Sequence, residues 1–186
     1  MTVDKSFDEN TLAILVSMIG KKLRWFRCDP FSFNNMAYKV VSLFVGEYVY
    51  QVQNEAKVQA YFGAQEDICN LDVIQVSESD AHSMLYDVEQ IDIPYNATIV
   101  KIEVVSETQR MMKNELSLDE YHFVRSIVFV LSDRREIAFD KTDDFSEQIA
   151  IRRGHNLIEH VPPIDADSDL EPGLRMQVTR DIRCLM

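Results

Sequence analysis

Residues 121–131 read Tyr121-His122-Phe123-Val124-Arg125-Ser126-Ile127-Val128-Phe129-Val130-Leu131. Val124, Ile127, Val128, Phe129 and Val130 make this the strongest strand signal in the chain, because β-branched and aromatic side chains fit a pleated, half-buried surface. Asp133-Arg134-Arg135 follows as a turn, and residues 136–140 return from it. The pair predicts an antiparallel hairpin, and a sheet forms around it.

The same composition recurs upstream. Stretches 22–27, 36–45, 48–52, 57–62, 68–76 and 98–105 read as strands. Turn formers separate them at Asp29-Pro30, Asn34-Asn35, Gly46-Glu47, Asn54-Glu55 and around Pro94 and Asn96, and 63–67 is a polar link. Downstream, 147–152 and 156–161 predict a last hairpin around Gly154.

Helical spacing appears in fewer places. Leu12, Leu15, Val16 and Ile19 share one face of a predicted helix over 8–19. Ser6 and Glu9 have capping-box spacing before it, and Gly20 stands ready to end it. Met84, Leu85 and Val88 form an apolar stripe over 77–89, with Ser77 or Ser79 as cap. Residues 107–120 are polar and carry no sheet pattern; Met111, Met112, Leu116 and Leu118 would anchor a short helix or a flap there. Strict βαβ alternation is missing. The expected class is therefore α+β, with a mainly antiparallel, strongly curved or barrel-like sheet and two or three short helices.

The chain has 186 residues, 46% of them hydrophobic, enough for one core without metal or disulfide support. The reading assigns 1–161 to a single domain. Pro162-Pro163 then opens an acidic, proline-containing linker and C-terminal tail over 162–186, with Asp165, Asp167, Asp169 and Glu171. Met176, Val178, Ile182 and Leu185 would let the end of that tail dock as a strand or pair with another copy into a homo-oligomer.

Against 19 Lys and Arg stand 31 Asp and Glu, a formal charge of −12. Nucleic acid and anionic membrane would repel such a surface, and a basic protein partner would be drawn to it. The first apolar run, 12–19, follows Asp4, Asp8 and Glu9 and falls well short of the ~20 residues a bilayer needs. Cys28, Cys69 and Cys184 make no CxxC pair and read as free thiols of a cytoplasmic protein.

Prewritten chemistry is sparse. The five glycines, Gly20, Gly46, Gly63, Gly154 and Gly173, are dispersed, which excludes GxGxxG and P-loop nucleotide sites. No cofactor is expected. The run Asp165-Ala166-Asp167-Ser168-Asp169 starts like a calcium loop, but Leu170 and Met176 occupy the places of its glycine and its bidentate glutamate. His155 and His160 are five apart, a spacing that aligns no metal ligands on one helix or strand face. No metal site is expected either. His122 lies close to Asp119 and Glu120, so a carboxylate-oriented imidazole is conceivable. Together with the turn residue His155, these form the candidate polar site of a hydrolase-type enzyme.

Ten aromatics fall within the 38 positions from Trp25 to Phe62. Most must be core, and the surplus would line a groove or interface on a curved sheet. Trp25, Phe26, Tyr48, Tyr50 and Tyr61 are the candidates for ligand or partner contact. The sequence thus favours a non-catalytic cytoplasmic binding or interaction protein. A hydrolase with a spatially assembled His/carboxylate site and a structural subunit assembling through its C-terminal tail are the alternatives.

Overall fold

A computed structural model describes residues 1–85, 88–113, 116–161 and 173–186. Eleven strands run through them: β1 (Thr2–Lys5), β2 (Lys22–Cys28), β3 (Met36–Tyr38), β4 (Val40–Val45), β5 (Tyr48–Tyr61), β6 (Ala64–Val76), β7 (Ile91–Lys113), β8 (Leu116–Leu131), β9 (Glu136–Lys141), β10 (Gln148–Gly154) and β11 (Leu174–Leu185). Among the described residues the one α-helix is α1 (Glu9–Met18), with 3-10 turns at Pro30–Asn34, Glu78–Asp80 and Leu157–His160. The protein is therefore mainly β, not α+β with two or three helices, and its sheet does not close into a barrel.

Each departure has a local cause. At 77–89, Ser77 Oγ donates to Asp80 Oδ2 at 2.6 Å, and Gln51 Nε2 donates to the Asp80 carbonyl at 2.8 Å. These bonds take up groups that a helix would need. Residues 107–113 and 116–120 form the distal ends of β7 and β8 instead of a helix or flap, because the buried Glu107 and Gln109 find partners in Arg180 and Asp144; 114–115 lie outside the described residues. Asn54 is not a turn residue but sits fully buried inside β5, where its amide donates to the carbonyls of Ser146 and Gln148. The expected hairpin around Gly154 stops at Asn156, whose left-handed backbone (φ 54) leads into a 3-10 turn; β10 pairs with β9 and β3 instead. The α1 helix is capped by the Asp8 carboxylate, which accepts from the Thr11 amide at 2.7 Å, so Ser6 and Glu9 form no capping box.

β7 is the spine. One edge pairs with β8; the other pairs first with β2 and then with β11. The full order is β3-β10-β9-β8-β7-β2-β4-β5-β6, with β1 added in parallel to β8. β3 and β4 are one run of chain broken at Lys39 (φ 62), which sends β3 to β10 and β4 to its place between β2 and β5. β5 and β6 meet at Phe62-Gly63, both at positive φ, as a two-residue hairpin turn requires.

The main core lies beneath α1, whose Leu15 and Met18 are buried against Phe26, Leu43, Val52, Val73, Ile127 and Phe139. A second cluster forms where the distal halves of the β5–β6 and β7–β8 hairpins meet, at Ile68, Tyr121 and Phe123. Residues 174–185 lie antiparallel to β7 over the whole length of β11. The acidic linker expected at 162–172 falls outside the described residues. No described helix is long and apolar enough to cross a membrane.

Candidate functional site

Of the five candidate aromatics only Tyr48 and Tyr50 come together, with ring centroids 6.5 Å apart. Phe26 is core, in contact with Tyr95 and Phe139. Its neighbour Trp25 points the other way, stacked on Phe44 with ring centroids 4.6 Å apart, and Arg24 lies over the indole. Tyr50 is buried, its hydroxyl 3.3 Å from Ser17 Oγ of α1. Tyr48 is exposed beneath the Lys21 ammonium. Tyr61 stands at the far end of β5 against Tyr121 and Phe145.

The candidate polar residues come together in part. His122 and Glu120, two apart on β8, share a face, and His122 Nε2 donates to Glu120 Oε1 at 2.6 Å. Thr108 lies opposite His122 in the β7–β8 register, with its Oγ1 2.8 Å from His122 Nδ1. Arg110 bonds the other Glu120 oxygen and holds that carboxyl below the usual carboxylate range. With Nε2 donating to Glu120, Nδ1 is the ring nitrogen placed to accept the Thr108 proton. The imidazole and Thr108 line a cavity of about 280 Å³ over Phe7, Leu12 and Val104, with Arg183 at its side. Asp119 is directed elsewhere and binds the N-terminal ammonium at 2.7 Å. His155 donates to the Arg134 carbonyl in a separate hollow of about 520 Å³.

Between the two long hairpins lies a buried polar layer that the sequence reading missed. Lys141 is fully buried, and its Nζ donates to Asp144 Oδ1 at 2.6 Å. Asp144 Oδ2 accepts from Tyr61 Oη at 2.8 Å and from Gln109 Nε2 at 3.1 Å. Tyr121 Oη donates to Asn70 and accepts from Gln59. Further along β7, buried Glu107 accepts from Arg180 of β11 at 2.5 Å, and buried Asp140 is held by Arg152 and Ser126. Arg125 sits in a bulge of β8, between the residues facing Val105 and Ser106. It is buried with Nε and Nη1 unbonded, opposite the charges of Glu107, Asp140 and Asp144.

Burial governs ionisation in this layer. It pulls the Lys141 ammonium down, with Asp144 opposing. It pushes the Cys69 thiol up to about 11 and the Tyr61 and Tyr121 phenols above their ordinary range, reinforced at both by the Asp144 charge. The alternation of Tyr121 and Phe123 was a visible signal. Their partners on β6, β7 and the 141–144 segment were not, because only the fold brings them near.

The edges of the sheet are unequal. β3 has three residues and β1 four. β6 carries α1 beside it, joined by Thr11 Oγ1 to Asp72 Oδ1 at 3.2 Å. These are the usual protections of a sheet edge. β11, twelve residues long, pairs with β7 on one side and with no other described strand, and most of its residues are exposed. Comparison with known proteins gives no match: no family model, no curated protein and no solved structure resembles the chain.

Proposed function

We propose that this chain is an interaction protein that accepts an added strand along the outer edge of β11. One observation carries the reading: the longest uncovered edge among the described residues is paired with β7 over its whole length. Arg180 is tied to Glu107 and to the Val161 carbonyl, and Leu185 is buried at the end of the strand. Backbone amides and carbonyls of such an edge supply affinity, and the alternate side chains supply selectivity. Leu174, Met176, Val178 and Ile182 share one face, interrupted by Arg180, and Arg175, Gln177, Thr179, Asp181 and Arg183 share the other with the buried Leu185. Peptides selected against the full chain immobilised sparsely, so that copies cannot pair with one another, followed by amide exchange on the complex, test this. Slowed exchange at alternate amides within 174–182 is expected; binders that protect other elements instead, or no binders at all, refute it.

A second reading rests on His122. Glu120, His122 and Thr108 stand as orienter, base and hydroxyl nucleophile stand in ester hydrolysis, beside a cavity. Turnover of small esters that is lost in His122→Gln and Thr108→Val would favour it. Equal rates in both variants and the parent chain would remove it.

A further inference from the structure

We infer that the strand added at β11 is the β11 of a second copy of this chain, paired antiparallel about a two-fold axis at Val178. This rests on the strand-addition reading above and names its partner.

Outward-facing amides alternate along a strand, so two identical antiparallel strands can share hydrogen bonds only if paired residues have the same parity. The two-fold axis must then pass through a residue. Centred on Arg180, the pairing sets Arg180 against itself. Centred on Thr179, it sets Arg175 against Arg183 at both ends, and centred on Asp181 it sets that carboxylate against its copy. A centre at Gln177 pairs Arg175 with Thr179 and Asp181 with Gly173, joining no opposite charges. A centre at Ile182 pairs Asp181 with Arg183 but overlaps only residues 178–186 and leaves Arg175 unopposed. At Val178 the pattern closes over the whole strand: Arg175 faces Asp181 at both ends, Leu174 faces Ile182, Gln177 faces Thr179 and Val178 meets its copy.

Two further facts favour this occupant. Neither Arg175 nor Asp181 has an ion-pair or hydrogen-bond partner among the described residues, although both are exposed on the same face of β11. Their charges are therefore uncommitted. Of the two remaining charges in the register, Arg180 faces Met176 and is already neutralised from within by Glu107, and Arg183 faces Gly173 with no charge opposite. Pairing would join the sheets of two copies in the order β8-β7-β11-β11-β7-β8, setting Leu174 beside Ile182 at both ends and Val178 beside its copy. The cross-strand Arg–Asp pairs survive at 0.15 M salt because they are in contact, whereas the mutual repulsion of two chains of charge −12 is screened beyond about 8 Å.

Light scattering and sedimentation of the full chain, from micromolar to about 0.1 mM, give the test. A dimer is expected. Arg175→Asp and Asp181→Arg each turn two attractive cross-pairs into two repulsive ones and should raise the dimer dissociation constant about tenfold or more. The double variant Arg175→Asp/Asp181→Arg restores both pairs with signs exchanged and should return to the parent value. Far-UV circular dichroism confirms that each variant folds. A dimer indifferent to the single charge reversals, or a double variant as weak as the singles, overturns the inference. A monomeric chain also overturns it, and the peptide selection then separates the two claims: selected strands that protect β11 leave the edge reading standing with a foreign partner, and their absence sinks both.

Discussion

Asp144→Ala removes the acceptor on which the buried layer converges. In the parent chain the Lys141 ammonium is fully buried and its one hydrogen bond goes to this carboxylate at 2.6 Å. Removing one member of a buried ion pair typically costs about 3–5 kcal/mol, because the remaining charge stays desolvated and unpaired. Tyr61 and Gln109 lose an acceptor as well, at about 1 kcal/mol each where they cannot turn to water. The rings of Phe123 and Tyr121, with centroids 4.2 and 5.8 Å from Lys141 Nζ, offset some of this. The expected net loss is about 4 kcal/mol, a large share of the 5–15 kcal/mol typical of a domain. In urea, with a slope of about 2 kcal/mol/M, the midpoint should fall by about 2 M. Adding Lys141→Met to Asp144→Ala replaces the stranded charge by an apolar chain of similar length and should recover more than half of the loss. A single variant costing under about 1 kcal/mol, or a double variant less stable than the single, would show that the pair does not hold the layer together.

Three other outcomes are expected. Cys69 has a folded pKa of about 11 against an ordinary 9.0, so the folded state keeps a proton that the unfolded state loses. Its contribution is whole below pH 9 and is lost as pH rises to 11, by about 2–3 kcal/mol. The raised phenols of Tyr61 and Tyr121 act in the same direction above pH 10, and the lowered Lys141 acts in the opposite one. Urea midpoints should therefore fall between pH 9 and 11, and less steeply in Cys69→Ala; equal slopes would contradict the burial of this thiol. A thiol reagent should label Cys184 within minutes in the native chain, and Cys28 and Cys69 only on unfolding, because Cys184 alone of the three is exposed. Asp8→Ala should cost about 1 kcal/mol in thermal melts through loss of the α1 cap, and Ser6→Ala far less.

The β8–β9 hairpin was legible because apolar residues crowd β8 and Asp133-Arg134-Arg135 ends it where the chain turns. β7 was legible only in its middle. Beyond Val105 its inward residues are Glu107 and Gln109, which a hydropathy pattern assigns to solvent. Their partners Arg180 and Asp144 lie 73 and 35 positions away, so nothing local signals that they are buried. The same cause hid Asn54, a turn former by composition and a buried brace to the 146–148 segment by structure. At the candidate site, spacing sufficed for His122 and Glu120, which share a face two residues apart. Thr108 needed the cross-strand register. Trp25 and Phe26 could never have lined one groove, because adjacent strand residues point to opposite faces.

If β11 accepts a strand as proposed, the buried layer bears on that edge through β7. An edge strand that accepts a partner loses affinity for every residue it must order on binding. β11 would be spared that cost only if the arm behind it were stiff, and the inward-facing charges supply the bonds that would stiffen it. Glu107 fixes Arg180 of β11, and Asp144 with Gln109 fixes β7 against β5. Arg125, carried by the bulge beside Ser106, balances both carboxylates without bonding to either. Loosening the layer should therefore weaken association at a site it does not touch. The dimer of Tyr61→Phe, which loses one hydroxyl bond to Asp144 and keeps its ring packing, should dissociate more readily than the parent with Arg175 and Asp181 intact. An unchanged dissociation constant, with a measurable loss of stability, would mean that edge and layer are independent.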